Sequence, residues 1–336
     1  MNAAPYHDVT QWIRTAKRPL LLTHRRPDGD ALGGLLAMAG AVEALGAKPK
    51  VVLYEDVPKR YAFWRDRAAW HVWTREHAAL AAACDSLIIV DTCSFNQLED
   101  VAAFLPVAPR TLVIDHHATH DEIGTRDGDL QWIDPSAGAV CLLIEEWLRA
   151  AKIAVTNEMA EALFVGIGTD TGWFRFSNAD ARVFSAAARL VADGVESNQL
   201  FELIHEQEPA AKMRLMGRLL ENMELLADER LAVLYLRQAD FAAVGADETM
   251  TDELVNIPAR IQSVVATVMI TEQKGGGLRL NFRSKHTVDV AAIAQEFGGG
   301  GHERAAGARA EGQWDEAVAG VVRRVKNAVL ADLGGP

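Results

Sequence analysis

With 336 residues, 49% hydrophobic and 24% charged, the chain has an ordinary globular composition and the length of about two domains. Its net charge of −12 argues against general affinity for long DNA or RNA, which comes from neutralising phosphates with Lys and Arg. The three cysteines, Cys84, Cys93 and Cys141, form no close-spaced pair and read as small buried hydrophobes in a reducing compartment. The start M-N-A-A-P-Y-H-D has no apolar h-region and no run approaches a membrane span, so the expected location is the cytoplasm.

In chain order, residues 1–18 suggest a short amphipathic helix. The apolar run P-L-L-L-T-H (19–24) then reads as a buried strand ending in polar residues. A helix follows Asp30 and closes at Gly46; Gly33, Gly34 and Gly40 inside it imply close packing on a sheet. A strand over 50–55 and a helical or irregular link over 58–67 come next. Trp64, Trp70 and Trp73 read as core aromatics. Alternation then takes over: strand 86–91, helix near 96–104, strand 111–115, strand 130–134, and a helix from about Gly138 to Ala150 whose Glu145-Glu146 reads as a solvated face. Further helices are expected near 157–168 and 179–193. Alternating βα units predict an α/β fold with a mostly parallel, doubly wound sheet.

From Glu196 to Leu226 the pattern is helical, broken at Pro209, and reads as a connector. A smaller mixed α/β region follows, with strands near 231–237, 263–271 and 278–284 and a hairpin turn at Gly275–Gly277. Helices are expected near 288–296 and 314–331. The expected organisation is a catalytic domain over 1–195, a helical connector over 196–226 and a substrate-binding domain over 227–336.

The centre of the pattern is T-L-V-I-D-H-H, residues 111–117. An apolar strand running into Asp115, His116 and His117 buries three polar side chains with no packing rationale. The first strand runs into His24, Asp28 and Asp30, and S-L-I-I-V-D-T (86–92) runs into Asp91. F-V-G-I-G-T-D-T-G (164–172) delivers Asp170. Open parallel sheets place their chemistry beyond the carboxyl ends of the strands, so neighbouring runs of this kind would bring four aspartates and several histidines together. Unneutralised carboxylates in one cleft repel, whereas four balance two dications in formal charge. That is the arithmetic of a two-metal hydrolytic centre, with metals roughly 3.5–4 Å apart and an activated water. The mixed Asp/His set shifts preference towards Mn²⁺, with Mg²⁺ or Co²⁺ as alternatives. In the last third, Gly298–Gly301 with His302 offers backbone N–H groups to an anion, and Arg283 and Ser284 add a planar fork and a hydroxyl.

These motifs, H-R-R-P-D-G-D-A-L-G at 24–33, V-D-T at 90–92, D-H-H at 115–117, G-T-D-T-G-W-F-R-F-S-N at 168–178 and F-G-G-G-G-H-E-R-A-A-G at 297–307, stand in the order seen in a known family. The chain resembles the DHH phosphoesterase superfamily with a C-terminal DHHA1 domain, and most closely its nano-RNase/pAp phosphatase branch. The resemblance implies that His24, Asp28 and Asp91 hold one metal, and that Asp30, Asp91, His116 and Asp170 hold the other. It further implies that Asp115 orients a ligand histidine and that His117 faces the substrate in a catalytic role. Arg283, Ser284, Gly299, Gly300, Gly301 and His302 would bind the nucleotide.

The expected function is two-metal hydrolysis of short oligoribonucleotides and of 3′-phosphoadenosine 5′-phosphate (pAp). The expected partners are short RNA or DNA oligonucleotides and small nucleotides, with no long duplex and no membrane; a homodimer is compatible with this. A phosphodiesterase for linear or cyclic dinucleotides is the alternative that keeps the chemistry. A non-catalytic nucleotide- or RNA-binding regulator is the alternative of another class, and it sits poorly with a ligand set from which nothing is missing.

Overall fold

The computed structural model describes residues 5–333, so the first four residues of the expected N-terminal helix lie outside the described residues. The chain forms two compact units, residues 1–207 and 208–336.

In the first unit, strands β1 (Pro19–Leu22), β2 (Lys50–Leu53), β3 (Trp70–Val72), β4 (Ser86–Val90), β5 (Thr111–Asp115) and β6 (Leu130–Ile133) form one sheet. Every pairing in it is parallel, and the order is β3-β2-β1-β4-β5-β6. Alternate residues bury on opposite faces. Leu21, Ile88, Val90, Leu112 and Ile114 join one core, and Leu20, Leu22, Leu87, Ile89 and Val113 the other. Both faces need cover. Helices α1 (Tyr6–Arg14), α2 (Gly29–Ala44), α3 (Trp73–Ala83), α4 (Phe95–Phe104), α5 (Val140–Ala150), α6 (Asn157–Asp170), α7 (Ala181–Ala192) and α8 (Ser197–His205) supply the rest of the unit. This is the expected doubly wound α/β fold. Its strand order reverses between β1 and β4, the place where such sheets open a crevice for ligands.

The glycines of α2 pack mainly against a helix rather than the sheet. A Cβ on Gly33 would stand 2.3 Å from the Ala162 backbone oxygen, and one on Gly40 would meet the Met159 sulfur at 2.8 Å, both in α6; only Gly34 meets a strand residue, Val90. Glu145 is not on a solvated face either. It is fully buried and held by Arg149 and Arg189, while Arg182 grips Glu146. Trp64 and Trp73 are core residues as expected.

In the second unit, α9 (Ala210–Glu221) precedes a mixed sheet of β7 (Glu224–Leu226), β8 (Leu231–Leu236), β9 (Ala266–Glu272), β10 (Leu278–Ser284), β11 (Gly300–His302) and β12 (Ala305–Ala310). Its order is β11-β12-β10-β9-β8-β7. Helices α10 (Gln238–Val244), α11 (Val290–Gln295) and α12 (Trp314–Leu333) complete it. The stretch expected to be one connector divides between Gln207 and Glu208: α8 falls in the first unit and α9 in the second. The sequence reading missed β12, whose A-A-G-A-R-A offers no large apolar residue to alternate, and β3, β7 and β11, each of which has three residues. So short a run has no legible period.

A test of the α2–α6 contact follows. Because the atom facing Gly33 is backbone, Gly33→Ala should lower stability by about 1–3 kcal/mol in urea unfolding. Gly275→Ala, at a turn with open space around it, should stay within about 0.5 kcal/mol of wild type. Equal effects would refute the close packing.

Candidate metal centre

The three strands at the reversal, β1, β4 and β5, all end in the polar residues singled out above. His24 follows β1, Asp91 follows β4, and Asp115 closes β5 ahead of His116 and His117. Asp28 caps α2, its Oδ1 accepting from the N–H groups of Asp30 and Ala31 at 2.9 and 3.1 Å. The cap and the site share one carboxylate. Asp30, fully buried, accepts from the N–H groups of Val140 (2.6 Å) and Cys141 (3.0 Å), so it ties α2 to the first turn of α5. Asp170 comes from the end of α6 rather than from a strand. Asp91 takes a left-handed conformation, φ +65°, which costs energy for a residue with a side chain.

Potential ligand atoms gather in three overlapping sets, each within 4.8 Å: His24, Asp28 and Asp91; Asp30, His116 and Asp170; and Asp91, His116 and His117. The two oxygens of Asp91 face different rings. Oδ2 lies 3.4 Å from His24 Nε2, and Oδ1 lies 3.4 Å from His116 Nε2. His116 Nε2 is also 3.1 Å from Asp170 Oδ2 and 3.8 Å from Asp30 Oδ2.

The other ring nitrogens decide how these contacts are read. His24 Nδ1 is 2.8 Å from the Arg25 carbonyl, and His116 Nδ1 is 3.2 Å from the Ala137 carbonyl. A carbonyl only accepts, so each Nδ1 carries the proton and each neutral ring presents a lone pair on Nε2. Those lone pairs point at carboxylates. Acceptor faces acceptor, and Asp91 Oδ1 and His116 Nε2 are buried without a hydrogen-bond partner. Such an arrangement requires positive charge between the groups, either protons on Nε2 or metal ions, and the donor set fits divalent metal.

Asp115 differs in detail from expectation. Its Oδ1 accepts from His117 Nδ1 at 2.7 Å and from the His116 backbone N–H at 2.8 Å. It therefore orients the ring of His117, while a backbone carbonyl orients that of His116. His117 is 55% exposed and lines a 330 Å³ cavity with His24, Asp28, Asp91 and Asp170. Ser94, Gln97 and Thr119 also line it and were not singled out from sequence, where isolated polar residues carry no periodic signal.

The residues expected to bind substrate lie in the second unit. Arg283 on β10 stands opposite Ala305 on β12, which stands opposite His302 on β11. Opposed residues share a face, so Arg283 and His302 flank one row about 10 Å apart. Ser284 is the exception: its hydroxyl donates to the Val288 carbonyl at 2.6 Å and closes a turn. Gly299 and Gly301 press against β12, where a Cβ would meet the Gly307 oxygen at 2.1 Å and the Ala305 oxygen at 2.5 Å; Gly300 faces open space.

Comparison with known proteins gives the family of each unit. Residues 19–167 match the DHH family, N-terminal domain, and residues 228–329 match the DHHA1 domain. The chain carries a DHH N-terminal domain followed by a DHHA1 domain. The bifunctional oligoribonuclease and PAP phosphatase NrnA of Thermus thermophilus is 29% identical over 320 residues, covering 95% of this chain and 92% of that protein. The protein of the same name from Bacillus subtilis is 27% identical over 334 residues, covering 96% and 97%. In fold, a crystallised exopolyphosphatase-related protein from Bacteroides fragilis matches with a TM-score of 0.81 at 20% identity over 98% of both chains. Among the described residues of the DHH–DHHA1 chain, no helix is long and apolar enough to cross a membrane.

In the DHH domain without metal, protons neutralise the cluster. Burial opposes protonation of His24, but neighbouring Asp91 outweighs it and lifts the pKa to about 9. His116 reaches about 11, burial again being outweighed by Asp170 and Asp91. Burial, with the charges of Asp91 and Asp170, raises Asp28 to about 6. Asp30 rises well above the usual carboxylate range, chiefly through burial. The hydrogen bond that His117 donates to Asp115 raises the pKa of its ring.

The sign of the pH dependence follows. Histidines with raised folded pKa stabilise the metal-free fold fully below their ordinary 6.5, and that contribution disappears as pH rises through about 9 for His24 and about 11 for His116. Asp28 acts in the same sense at lower pH, favouring the fold as pH drops below about 6. The unfolding midpoint of metal-stripped protein should therefore fall between pH 6.5 and about 9. Added divalent metal should raise it more at the upper end, where fewer protons compete. A midpoint that rises over this interval, or a metal effect that shrinks, would contradict the assignment.

Proposed function

We propose that this chain is a two-metal phosphohydrolase acting on short oligoribonucleotides and on pAp. The observation that carries the reading is the pair of lone-pair-bearing imidazoles aimed at the two oxygens of one buried carboxylate, Asp91. The names of the two relatives support the substrate class. His24, Asp28 and Asp91 would hold one dication, and Asp30, His116 and Asp170 the other with Asp91 between them. Mn²⁺ suits a set containing imidazole better than Mg²⁺ does. Bound there, the pair of metals would polarise a phosphoryl oxygen and lower the pKa of water.

The chain's own groups do the rest. Asp115 fixes the Nδ1–H of His117, leaving Nε2 as the nitrogen able to exchange a proton with the cavity. With its pKa raised by that carboxylate, His117 would give its proton to the departing ribose oxygen. Buried Asp30 anchors α2 against α5 and so keeps Asp28 and His116 in register. On the DHHA1 domain, the Arg283 guanidinium and the His302 imidazole bind phosphate, and Gly300 lets backbone approach it. The net charge of −12 disfavours every further phosphate, so turnover should fall with oligonucleotide length. Nucleotide substrates and three unpaired cysteines suit the cytoplasm.

A Mn²⁺-dependent panel tests the reading. It should show hydrolysis of pAp and of di- to tetranucleotides, with long single strands, duplex DNA and pyrophosphate poor. A peak at pApA or a cyclic dinucleotide with little pAp hydrolysis would favour the dinucleotide phosphodiesterase. Degradation of long strands at least as fast as short ones would overturn the proposal. Asp91→Ala should abolish activity and metal binding together. Arg283→Ala and His302→Ala should each raise KM, by about 1.5–3 kcal/mol in binding, with metal content unchanged. Loss of metal from either of these two variants would refute the division of labour.

A further inference from the structure

The turn that follows Asp170 carries Phe176, whose ring pairs with no other aromatic ring among the described residues. Gly172, Trp173 and Phe174 are successive left-handed residues, with φ of +56°, +57° and +64°. Two of them have side chains, and a left-handed conformation costs each of these roughly 1–2 kcal/mol. The strain is held in place by the Phe174 N–H donating to Thr171 Oγ1, the Arg175 Nε donating to the Gly172 carbonyl, and Asn178 Nδ2 donating to the carbonyls of Asp170 and Gly138.

This turn sorts its aromatics. Trp173 packs on Phe164, Phe201 and His205, and Phe174 on Phe164 and Phe184, so both are anchored in the domain. Phe176 goes the other way and is 57% exposed. A Cβ on Gly172 would lie 2.4–2.5 Å from Cζ, Cε1 and Cε2 of Phe176. A point nearly equidistant from those three carbons at that range stands over the ring, not at its edge. One face of Phe176 therefore rests on the backbone of Gly172, and more than half of the residue is exposed.

A flat, exposed ring seated on backbone and tied through Asn178 to a residue of the metal centre has the features of a stacking platform. We propose that Phe176 stacks against the nucleobase of the substrate and so positions the attached phosphate at the metal centre. The inference rests on the nucleotide-hydrolase reading above and adds the group that recognises the base. Any base has a π-face, so the platform favours nucleotides as a class over base-free phosphates.

The test compares ligands with and without a base on metal-loaded protein. Titration calorimetry would measure AMP and ribose 5-phosphate against wild type, Phe176→Ala and Phe176→Trp. Phe176→Ala should weaken AMP about tenfold and leave ribose 5-phosphate within twofold, and Phe176→Trp should restore AMP binding. In turnover, Phe176→Ala should raise KM for pAp while kcat and metal content stay within twofold. Equal AMP affinity in wild type and Phe176→Ala would overturn the stacking role, as would equal weakening of both ligands or a change in oligomeric state. Failure of wild type to hydrolyse pAp would sink the functional reading instead, and the AMP comparison would still decide the role of Phe176.

Discussion

At Asp91 two imidazole nitrogens meet the two oxygens of one buried carboxylate. His24 and His116 have each committed their one proton to a backbone carbonyl, and Asp28, Asp30 and Asp170 crowd the same space. Left to itself this cluster is repulsive, and it can exist only with positive charge among its members. Protons serve in the metal-free chain, as the raised values of His24 and His116 show. Dications serve better, because two of them balance four carboxylates without distorting any ring. The left-handed backbone of Asp91 and the double hydrogen bonding of Asp30 are the structural costs of holding that arrangement ready.

The sheet explains why the charges arrive together. Parallel strands bury both faces and so end abruptly where polar side chains begin. Reversal of strand order between β1 and β4 leaves no crossover helix above that point. The loops after β1, β4 and β5 can then converge, and the tight α2–α6 contact brings the start of one helix and the end of the other to the same spot. Asp28 and Asp170 are delivered by those two helix ends. The close approach at Gly33 therefore serves the site as well as the core.

Much of this was legible because it follows from periodicity. Apolar runs ending in His24, Asp91 and Asp115 announce buried strands with chemistry at their tips, and the fold class and the convergence of these residues follow from that. What escaped lacks a periodic signal. The three-residue strands β3, β7 and β11 are too short for alternation to show. The helix expected near 157–168 runs two residues further, so that Asp170 closes α6. The partners that set the tautomers of His24 and His116 are backbone carbonyls, which any residue could provide. Glu145 looked solvated because Arg149 and Arg189, which neutralise it, lie four and forty-four residues away.

The central claim is that two metal ions share Asp91. An anomalous difference map, recorded at the manganese absorption edge from crystals grown with Mn²⁺, tests it most directly. The account predicts two peaks roughly 3.5–4 Å apart. One should lie among His24, Asp28 and Asp91, and the other among Asp30, Asp91, His116 and Asp170. A single peak, or a pair that does not include Asp91 in both coordination spheres, would contradict it.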